Sequence, residues 1–164
     1  MGAYGGAAAG MSGPMDVGTL LDDLADATPW SFQADPIDSG LVEADPFTGS
    51  SSAHIAAASC RGARTAVTLA IPEDAEAIRF SIRGSFPGSV TMATGLSEYS
   101  SSVPRTDGTY TICVPDGFAG TSATFWLYLQ TWGNCGSAPR VDVYLDDVVS
   151  TTDATGCLPL EIDI

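Results

Sequence analysis

The sequence predicts an all-β protein: an antiparallel β-sandwich of the jelly-roll type, preceded by a short N-terminal helix and a flexible Gly/Ala-rich N-terminal extension. Short segments of alternating apolar and polar residues recur along the chain, and Gly, Pro and Asp turns separate them. The chain has 164 residues, of which 45 % are hydrophobic and 16 % charged, and that size is enough to bury the core of one domain. We therefore expect one β-sandwich domain over residues 29–164.

The first 28 residues differ from the rest of the chain in composition and period. Residues 1–18, MGAYGGAAAGMSGPMDVG, are rich in Gly and Ala and should be flexible on their own. Several of them are apolar, so they form either a linker or an extension that docks on another surface. Residues 19–28, TLLDDLADAT, place leucines on one side and aspartates on the other, and Pro29 follows. This pattern predicts a short helix that ends before the proline.

From Trp30 onward the periodic segments alternate as β-strands do. The predicted strands cover residues 65–71, 77–84, 89–94, 108–115, 125–132 and 140–150. The side chains expected to point inward are Val67, Leu69, Ile71, Ile78, Phe80, Ile82, Tyr110, Ile112, Val114, Phe125, Leu127, Leu129, Val141, Val143 and Leu145.

The segment FWLYLQTW, residues 125–132, departs from the pattern of a half-buried strand. Its outward side chains are Trp126, Tyr128, Gln130 and Trp132, three large aromatic rings and an amide, where a solvated strand carries Thr, Lys or Glu. Rings two residues apart on a strand lie about 7 Å apart. The sequence leaves three alternatives for what covers this face: a ligand, residues 1–28 of the same chain, or a neighbouring molecule.

Other predicted strands carry outward groups of complementary chemistry, and these groups are Arg79, Arg83, Asp142 and Tyr144. If all these strands lie in one sheet, one face presents aromatic rings beside planar hydrogen-bonding groups. Sugars require this combination, because the C–H faces of a pyranose stack on Trp and Tyr while its hydroxyls bond to Arg, Asp and Gln. The eight outward residues are therefore our candidate ligand-binding residues.

The charge balance is strongly acidic, with 20 Asp and Glu against 6 Lys and Arg and a formal net charge of −14. Such a surface repels phosphate backbones and anionic membranes, so we expect no nucleic-acid partner. It suits plain solubility, divalent cations or a secreted protein in salty water. No apolar stretch reaches the roughly 20 residues that span a membrane, so we expect no membrane insertion. No charged-then-apolar signal peptide opens the chain, which indicates a mature form or one prepared for expression.

The four cysteines, Cys60, Cys113, Cys135 and Cys157, are widely spaced and include no CxxC pair. This spacing argues against a zinc site or a redox motif. An even number of cysteines in a turn-rich β protein predicts two disulfides and an extracellular or cell-surface location. Of the three possible pairings we favour Cys60–Cys113 with Cys135–Cys157, because the second bond would tie the last loop to the tail.

Three passages resemble the jelly-roll carbohydrate-binding modules of the galactose-binding-like group, in particular the family 4 and family 9 type. WSFQAD (30–35) is similar to the start of their first strand, and TGSSSAHIAA (48–57) to their second strand. VYLDDVVS (143–150) resembles their closing (W/Y)-(I/L)-D-D-V strand and is the most specific of the three. The resemblance implies a jelly roll that binds carbohydrate.

The same resemblance implies a structural Ca²⁺ ion held between the first strand, a nearby loop and an Asp of the last strand. The matching position here is Asp147, or its neighbour Asp146. The family's N-x-G-F-E opening is absent, so Asp35, Asp38 or Asp45 would have to replace its Glu. Carboxylate oxygens are the hard ligands that calcium prefers, although the two aspartates of the last strand would equally end a strand and cap a turn.

The sequence contains no catalytic pattern. His54 is the only histidine, and no GxSxG elbow marks a nucleophile for it, so we expect a packed or hydrogen-bonded residue. The carboxylate pair of a glycosidase would need a second acid beside Asp142 among the outward residues. P-loop and dinucleotide fingerprints are absent as well. We therefore expect no enzyme activity.

These observations lead to two hypotheses. The first is a secreted, non-catalytic β-sandwich module that binds a polysaccharide or glycan through the aromatic strand face. The alternative is a structural subunit of an extracellular filament, surface or coat assembly, in which residues 1–18 pack on a neighbouring subunit by strand addition. A binding module tolerates deletion of residues 1–18, whereas a filament subunit loses self-assembly.

Overall fold

A computed structural model describes residues 19–22, 30–34, 40–42, 51–57, 61–85, 90–104, 106–131 and 141–162. These residues form strands and turns. The strands in chain order are β1 (Thr19–Asp22), β2 (Trp30–Ala34), β3 (Gly40–Val42), β4 (Ser52–Ala57), β5 (Gly62–Ala70), β6 (Ala77–Ser85), β7 (Val90–Leu96), β8 (Tyr99–Val103), β9 (Gly108–Cys113), β10 (Ser122–Thr131), β11 (Val141–Thr151) and β12 (Glu161–Ile162). The described residues include no helix that could span a membrane.

The strands pair antiparallel in two sheets of six strands each. The first sheet has the order β3-β4-β11-β6-β9, and β1 also pairs with β11. The second sheet has the order β12-β8-β7-β10-β5-β2. Neighbours within each sheet are mostly distant in sequence, as in a jelly roll. The predicted all-β sandwich is therefore confirmed.

The core lies between the two sheets and follows the alternation seen in the sequence. Phe80 of the first sheet and Phe125 of the second are both fully buried, and their ring centroids lie 5.3 Å apart in an edge-to-face arrangement. Such pairs stabilise a core by about 0.5–1.5 kcal/mol beyond the area that they bury. Most of the residues expected to point inward are buried, and Tyr110 and Val114 are partly buried and pack against the same cluster.

The helix predicted over residues 19–28 is wrong for its first four residues. They form β1, which pairs with β11 through Thr19–Ser150 and Leu20–Val149. An isolated helix of this length is marginal in water, whereas pairing with a long strand supplies backbone hydrogen bonds and lets Leu21 pack against the core. Residues 23–28, like the extension of residues 1–18, lie outside the described residues.

The predicted disulfide pairing is also wrong, because Cys113 at the end of β9 is bonded to Cys157, with Cα atoms 5.1 Å apart. The C-terminal segment lies beside β9, where Leu158 forms a parallel bridge with Ile112. This backbone pairing brings Cys157 to Cys113 and therefore excludes both of the favoured bonds. Cys60 and Cys135 lie outside the described residues.

Candidate functional site

The outward residues that the sequence places on one face occupy two faces of the sandwich. Trp126, Tyr128 and Gln130 point outward from β10 in the second sheet, while Trp132 lies outside the described residues. The other four candidates belong to β6 and β11 in the first sheet, and they are Arg79, Arg83, Asp142 and Tyr144. The sheets pack through their inner faces, so these two outer faces lie on opposite sides of the molecule. The assumption of one shared sheet is wrong.

On the second sheet, the indole of Trp126 lies down over the neighbouring strand β7. Trp126 is directly opposite Gly95, and a Cβ atom added to that glycine would lie 2.6 Å from Cζ2 of the indole. The indole Nε1–H donates a hydrogen bond of 2.9 Å to the carbonyl oxygen of Ser97. The ring is therefore held over β7 by the acceptor for its N–H at one edge, and the absence of a side chain on Gly95 leaves room for it.

Tyr128 and Gln130 lean the other way, over the start of β5. The Tyr128 hydroxyl donates to Oε1 of Gln130 at 2.5 Å, and the Gln130 amide donates to the Thr131 carbonyl at 3.0 Å. A Cβ atom at Gly62 would lie 2.7 Å from the Tyr128 hydroxyl oxygen. Glycines on both neighbouring strands thus allow the side chains of β10 to lie low on the sheet.

Arg64 of β5 joins this surface, and the sequence prediction did not include it. Its guanidinium carbon lies over the Trp126 ring, 5.4 Å from the ring centroid, at a distance typical of a cation–π contact. The guanidinium places several N–H donors next to a flat aromatic ring. Extending the alternation of TAVTLAI upstream would have placed Arg64 outward, but only the sheet order puts it beside Trp126.

A row of directly opposed outward residues crosses the second sheet through Trp126. In the order β12, β8, β7, β10, β5, β2 its members are Glu161, Ser100, Gly95, Trp126, Ala66 and Ser31. The row spans five interstrand spacings, which is about 24 Å. Four of its members, Ser100, Gly95, Ala66 and Ser31, have small or no side chains. The surface is therefore low on both sides of the indole.

Two shallow polar depressions lie on the row, one on each side of Trp126. One has a volume of about 250 Å³ and is lined by residues of β2, β5 and β10, including Ser31 and Thr124. The other has a volume of about 450 Å³ and is lined by residues of β8 and the C-terminal segment, including Ser100 and Glu161. The surface therefore offers one central aromatic ring with hydroxyl groups at both ends and a carboxylate at one of them.

The outer face of the first sheet is organised differently. His54 Nε2 lies 2.8 Å from Asp142 Oδ1, and the His54 and Tyr144 rings stack in parallel with centroids 4.5 Å apart. His54 is only 6 % exposed, which confirms the expectation of a packed and hydrogen-bonded histidine. Arg83 donates to the Ile82 carbonyl at 2.8 Å. Here the ring faces contact each other, so Tyr144 has one face covered by His54.

The two aspartates of the last strand have different environments. Asp146 is 7 % exposed and its carboxylate accepts a hydrogen bond of 2.8 Å from the backbone N–H of Asp147. Asp147 is exposed and has a φ of 56°, at a bulge in the pairing of β11 with β6. The bulge therefore turns Asp147 towards solvent and leaves Asp146 as the buried carboxylate.

Ser52 of β4 has a buried hydroxyl. Continuing the register of the Leu145–Ala53 pair by one residue places Ser52 opposite Asp146, and its Oγ is buried with no hydrogen-bond partner among the described residues. On this edge, β11 changes its partner from β4, which pairs through Leu145, to β1, which pairs from Val148. A buried carboxylate beside a buried hydroxyl fits a hard cation. The described residues contain no group of three metal-ligating side chains, and Asp35 lies outside them.

The sequence matches no protein-family model and no curated protein. The fold, by contrast, is similar to solved structures of carbohydrate-binding modules. One is the module TmCBM61 in complex with β-1,4-galactotriose, with a TM-score of 0.55, 16 % identity, and coverage of 78 % of this chain and 91 % of that one. Another is the family 11 module from Clostridium thermocellum in complex with a β-1,3-1,4-mixed-linked tetrasaccharide, with a TM-score of 0.53, 15 % identity, and coverage of 86 % and 96 %.

A third similar structure is TmCBM27, a module described by its specific recognition of mannan. It has a TM-score of 0.51 and 12 % identity, and the match covers 84 % of this chain and 98 % of that one. At these identities the likeness defines the fold, which is the jelly roll of carbohydrate-binding modules. The more specific resemblance to the family 4 and family 9 type is not confirmed.

Proposed function

We propose that the protein is a non-catalytic carbohydrate-binding module that holds a polysaccharide against the outer face of its second sheet. The observation that carries this proposal is the Trp126 indole, which lies over Gly95 of the neighbouring strand and has the Arg64 guanidinium carbon 5.4 Å from its ring centroid. A pyranose needs a flat apolar ring for its C–H face and nearby planar donors for its hydroxyls. Trp126 supplies the ring, and the neighbouring Arg64 guanidinium supplies the donors.

The shape of this surface supports a chain rather than a compact ligand. Small side chains flank Trp126 along a row of about 24 Å, so an extended oligosaccharide can approach the indole from either side. The proteins of similar fold bind a galactotriose, a mixed-linked tetrasaccharide and mannan. We therefore take uncharged polysaccharides of this kind as the ligand class.

The chemistry of the site supports binding without catalysis. Among the described strands of the second sheet, Glu161 is the only carboxylate, whereas glycoside hydrolysis uses a pair of carboxyl groups flanking the scissile bond. The single histidine is buried on the opposite side of the sandwich in contact with Asp142 and Tyr144.

An extracellular location and a structural calcium ion complete the proposal. The Cys113–Cys157 disulfide supports an oxidising compartment. Asp146 and Ser52 would contribute oxygen ligands to calcium, and the ion would stabilise the point where β11 changes from β4 to β1. Asp147, which the sequence favoured, is exposed and is a weaker candidate.

The test is native affinity electrophoresis through gels that contain galactan, mixed-linked β-glucan or mannan. We expect the intact protein to be retarded by at least one of them, Trp126→Ala to lose the retardation, and Arg64→Ala to weaken it about tenfold. Arg83→Ala is the matched control, because it removes an arginine from the outer face of the other sheet. Each variant is first shown to be folded by circular dichroism.

Deleting residues 1–18 separates this proposal from the filament hypothesis. We expect the shortened protein to be retarded as strongly as the intact one. Large assemblies of the intact chain that vanish on deletion would instead support a structural subunit. Equal retardation of Trp126→Ala and the intact protein would contradict the binding face proposed above.

A further inference from the structure

The C-terminal segment, residues 152–162, leaves the central strand β11, passes the edge strand β9 of the first sheet and ends at the edge of the second sheet. It is attached to β9 by the Cys113–Cys157 disulfide and by two backbone hydrogen bonds, Leu158 N–H to the Thr111 carbonyl at 2.7 Å and Cys113 N–H to the Leu158 carbonyl at 2.9 Å. Three residues after Leu158, it pairs with β8 as strand β12. The segment is therefore fixed at both ends, although β12 itself has only two residues.

This path places Glu161 on the outer face of the second sheet. Glu161 is directly opposite Ser100, which is directly opposite Gly95, and Gly95 lies under Trp126. Three interstrand spacings separate Glu161 from Trp126, which is about 14 Å. Together with Ser100, Ser102 and Pro159, Glu161 lines the larger of the two depressions on the row.

The position of this carboxylate distinguishes it from the rest of an acidic surface. The chain has 20 acidic residues, yet Glu161 is the only one in the described strands of the second sheet. It is exposed, and it stands beside serine hydroxyls at the end of a row that has Trp126 near its middle. A carboxylate accepts strong hydrogen bonds from sugar hydroxyls, and neighbouring serines add further donors and acceptors.

We propose that the C-terminal segment forms the far end of the binding site and that Glu161 contacts a sugar residue several positions along the chain from the one stacked on Trp126. This inference rests on the proposed function of the aromatic face. It makes the site selective for extended chains, because only an oligosaccharide of several residues reaches both Trp126 and Glu161. The disulfide acts as a positioning element, since it holds the segment that carries Glu161.

Affinities for a series of oligosaccharides of increasing length, derived from the polysaccharide that the intact protein retains, test the proposal by isothermal titration calorimetry. We expect Glu161→Ala to weaken binding of the long oligosaccharides about tenfold and to leave the shortest ones unaffected. Glu76→Ala, which removes an exposed carboxylate before β6, is the matched control and should change neither. The double variant Cys113→Ser with Cys157→Ser should reproduce the length-dependent loss and retain Trp126-dependent binding of short ligands.

The possible outcomes distinguish a failure of this inference from a failure of the proposed function. If Trp126→Ala abolishes binding while Glu161→Ala matches Glu76→Ala at every length, the inference is wrong and the proposed function stands. Equal weakening of short and long ligands by Glu161→Ala also overturns the inference, because Glu161 would then not lie at a distal position. If the intact protein binds none of the polysaccharides, both proposals fail.

Discussion

Replacing Gly95 by alanine tests whether the absence of a side chain under Trp126 holds the indole flat. A Cβ atom at this position would lie 2.0 Å from the Tyr99 carbonyl oxygen and 2.6 and 2.8 Å from two carbons of the indole. The carbonyl belongs to the backbone of the neighbouring strand and cannot rotate away. Both the strand and the indole must therefore shift.

The expected loss in the free energy of unfolding has two contributions. Overpacking a well-packed site costs about 1–3 kcal/mol. A displaced indole also loses its hydrogen bond to the Ser97 carbonyl, which contributes about 1 kcal/mol net. We expect Gly95→Ala to lower the free energy of unfolding by about 3 kcal/mol, which lowers Tm by roughly 6–12 °C for a protein of this size.

Urea denaturation and thermal melting of three glycine variants measure this effect. Gly62→Ala brings a Cβ atom to 2.7 Å from the Tyr128 hydroxyl and 2.8 Å from Gln130 Oε1, but these are the ends of flexible side chains, so we expect less than about 1 kcal/mol. Among the described residues, the atoms nearest to a Cβ at Gly108 are those of the Tyr110 ring, at 3.5 Å, so Gly108→Ala should be within about 0.5 kcal/mol of the parent.

Affinity electrophoresis of the same variants provides a second readout, which reports on the proposed binding. Gly95→Ala and Gly62→Ala should both weaken polysaccharide binding, because each displaces a side chain of the outer face, and Gly108→Ala should not. Gly95→Ala could instead have the same free energy of unfolding as Gly108→Ala and unchanged indole fluorescence. That result would refute the proposed position of the Trp126 ring over Gly95.

Three further predictions concern the core, the metal and the cysteines. Phe125→Ala should lower the free energy of unfolding by about 3–5 kcal/mol in urea denaturation, because the ring is fully buried; a loss below 1 kcal/mol would contradict the packing. Calcium should raise the Tm of the intact protein and of Asp147→Asn but not that of Asp146→Asn. If calcium instead raises the Tm of Asp146→Asn and not that of Asp147→Asn, the ligand is Asp147. Peptide mapping without reduction should recover Cys60 linked to Cys135, since the other two of the four cysteines are bonded to each other, whereas free thiols at both positions would disprove this.

The alternation of side chains along each strand was predictable from the sequence because it is a local property. A strand turns successive residues to opposite faces whatever its neighbours are, so FWLYLQTW already separates the buried Phe125, Leu127 and Leu129 from the outward Trp126 and Tyr128. The same property gave the inward residues of β5, β6 and β11 and, with the turn residues between them, the β-sandwich.

The short strands were harder to predict because their stability comes from their partners. β1 has four residues and β12 has two, and neither has a period long enough to identify a strand. β1 forms because β11 offers it an edge, and β12 forms because the Cys113–Cys157 bond and the Leu158 bridge bring it to β8. Such pairing energy is absent from the local sequence.

The sequence by itself determined the fold class and the inward and outward faces of each long strand, because both depend on residues that are adjacent in the chain. Only the tertiary structure decided which outward residues meet. Trp126 receives its hydrogen-bond acceptor from Ser97, 29 residues earlier, and Asp142 meets His54 across 88 residues. Sheet order sets these distant contacts, and it places Arg64 and Gly95 beside Trp126 while it sends Arg79, Arg83 and Asp142 to the opposite face.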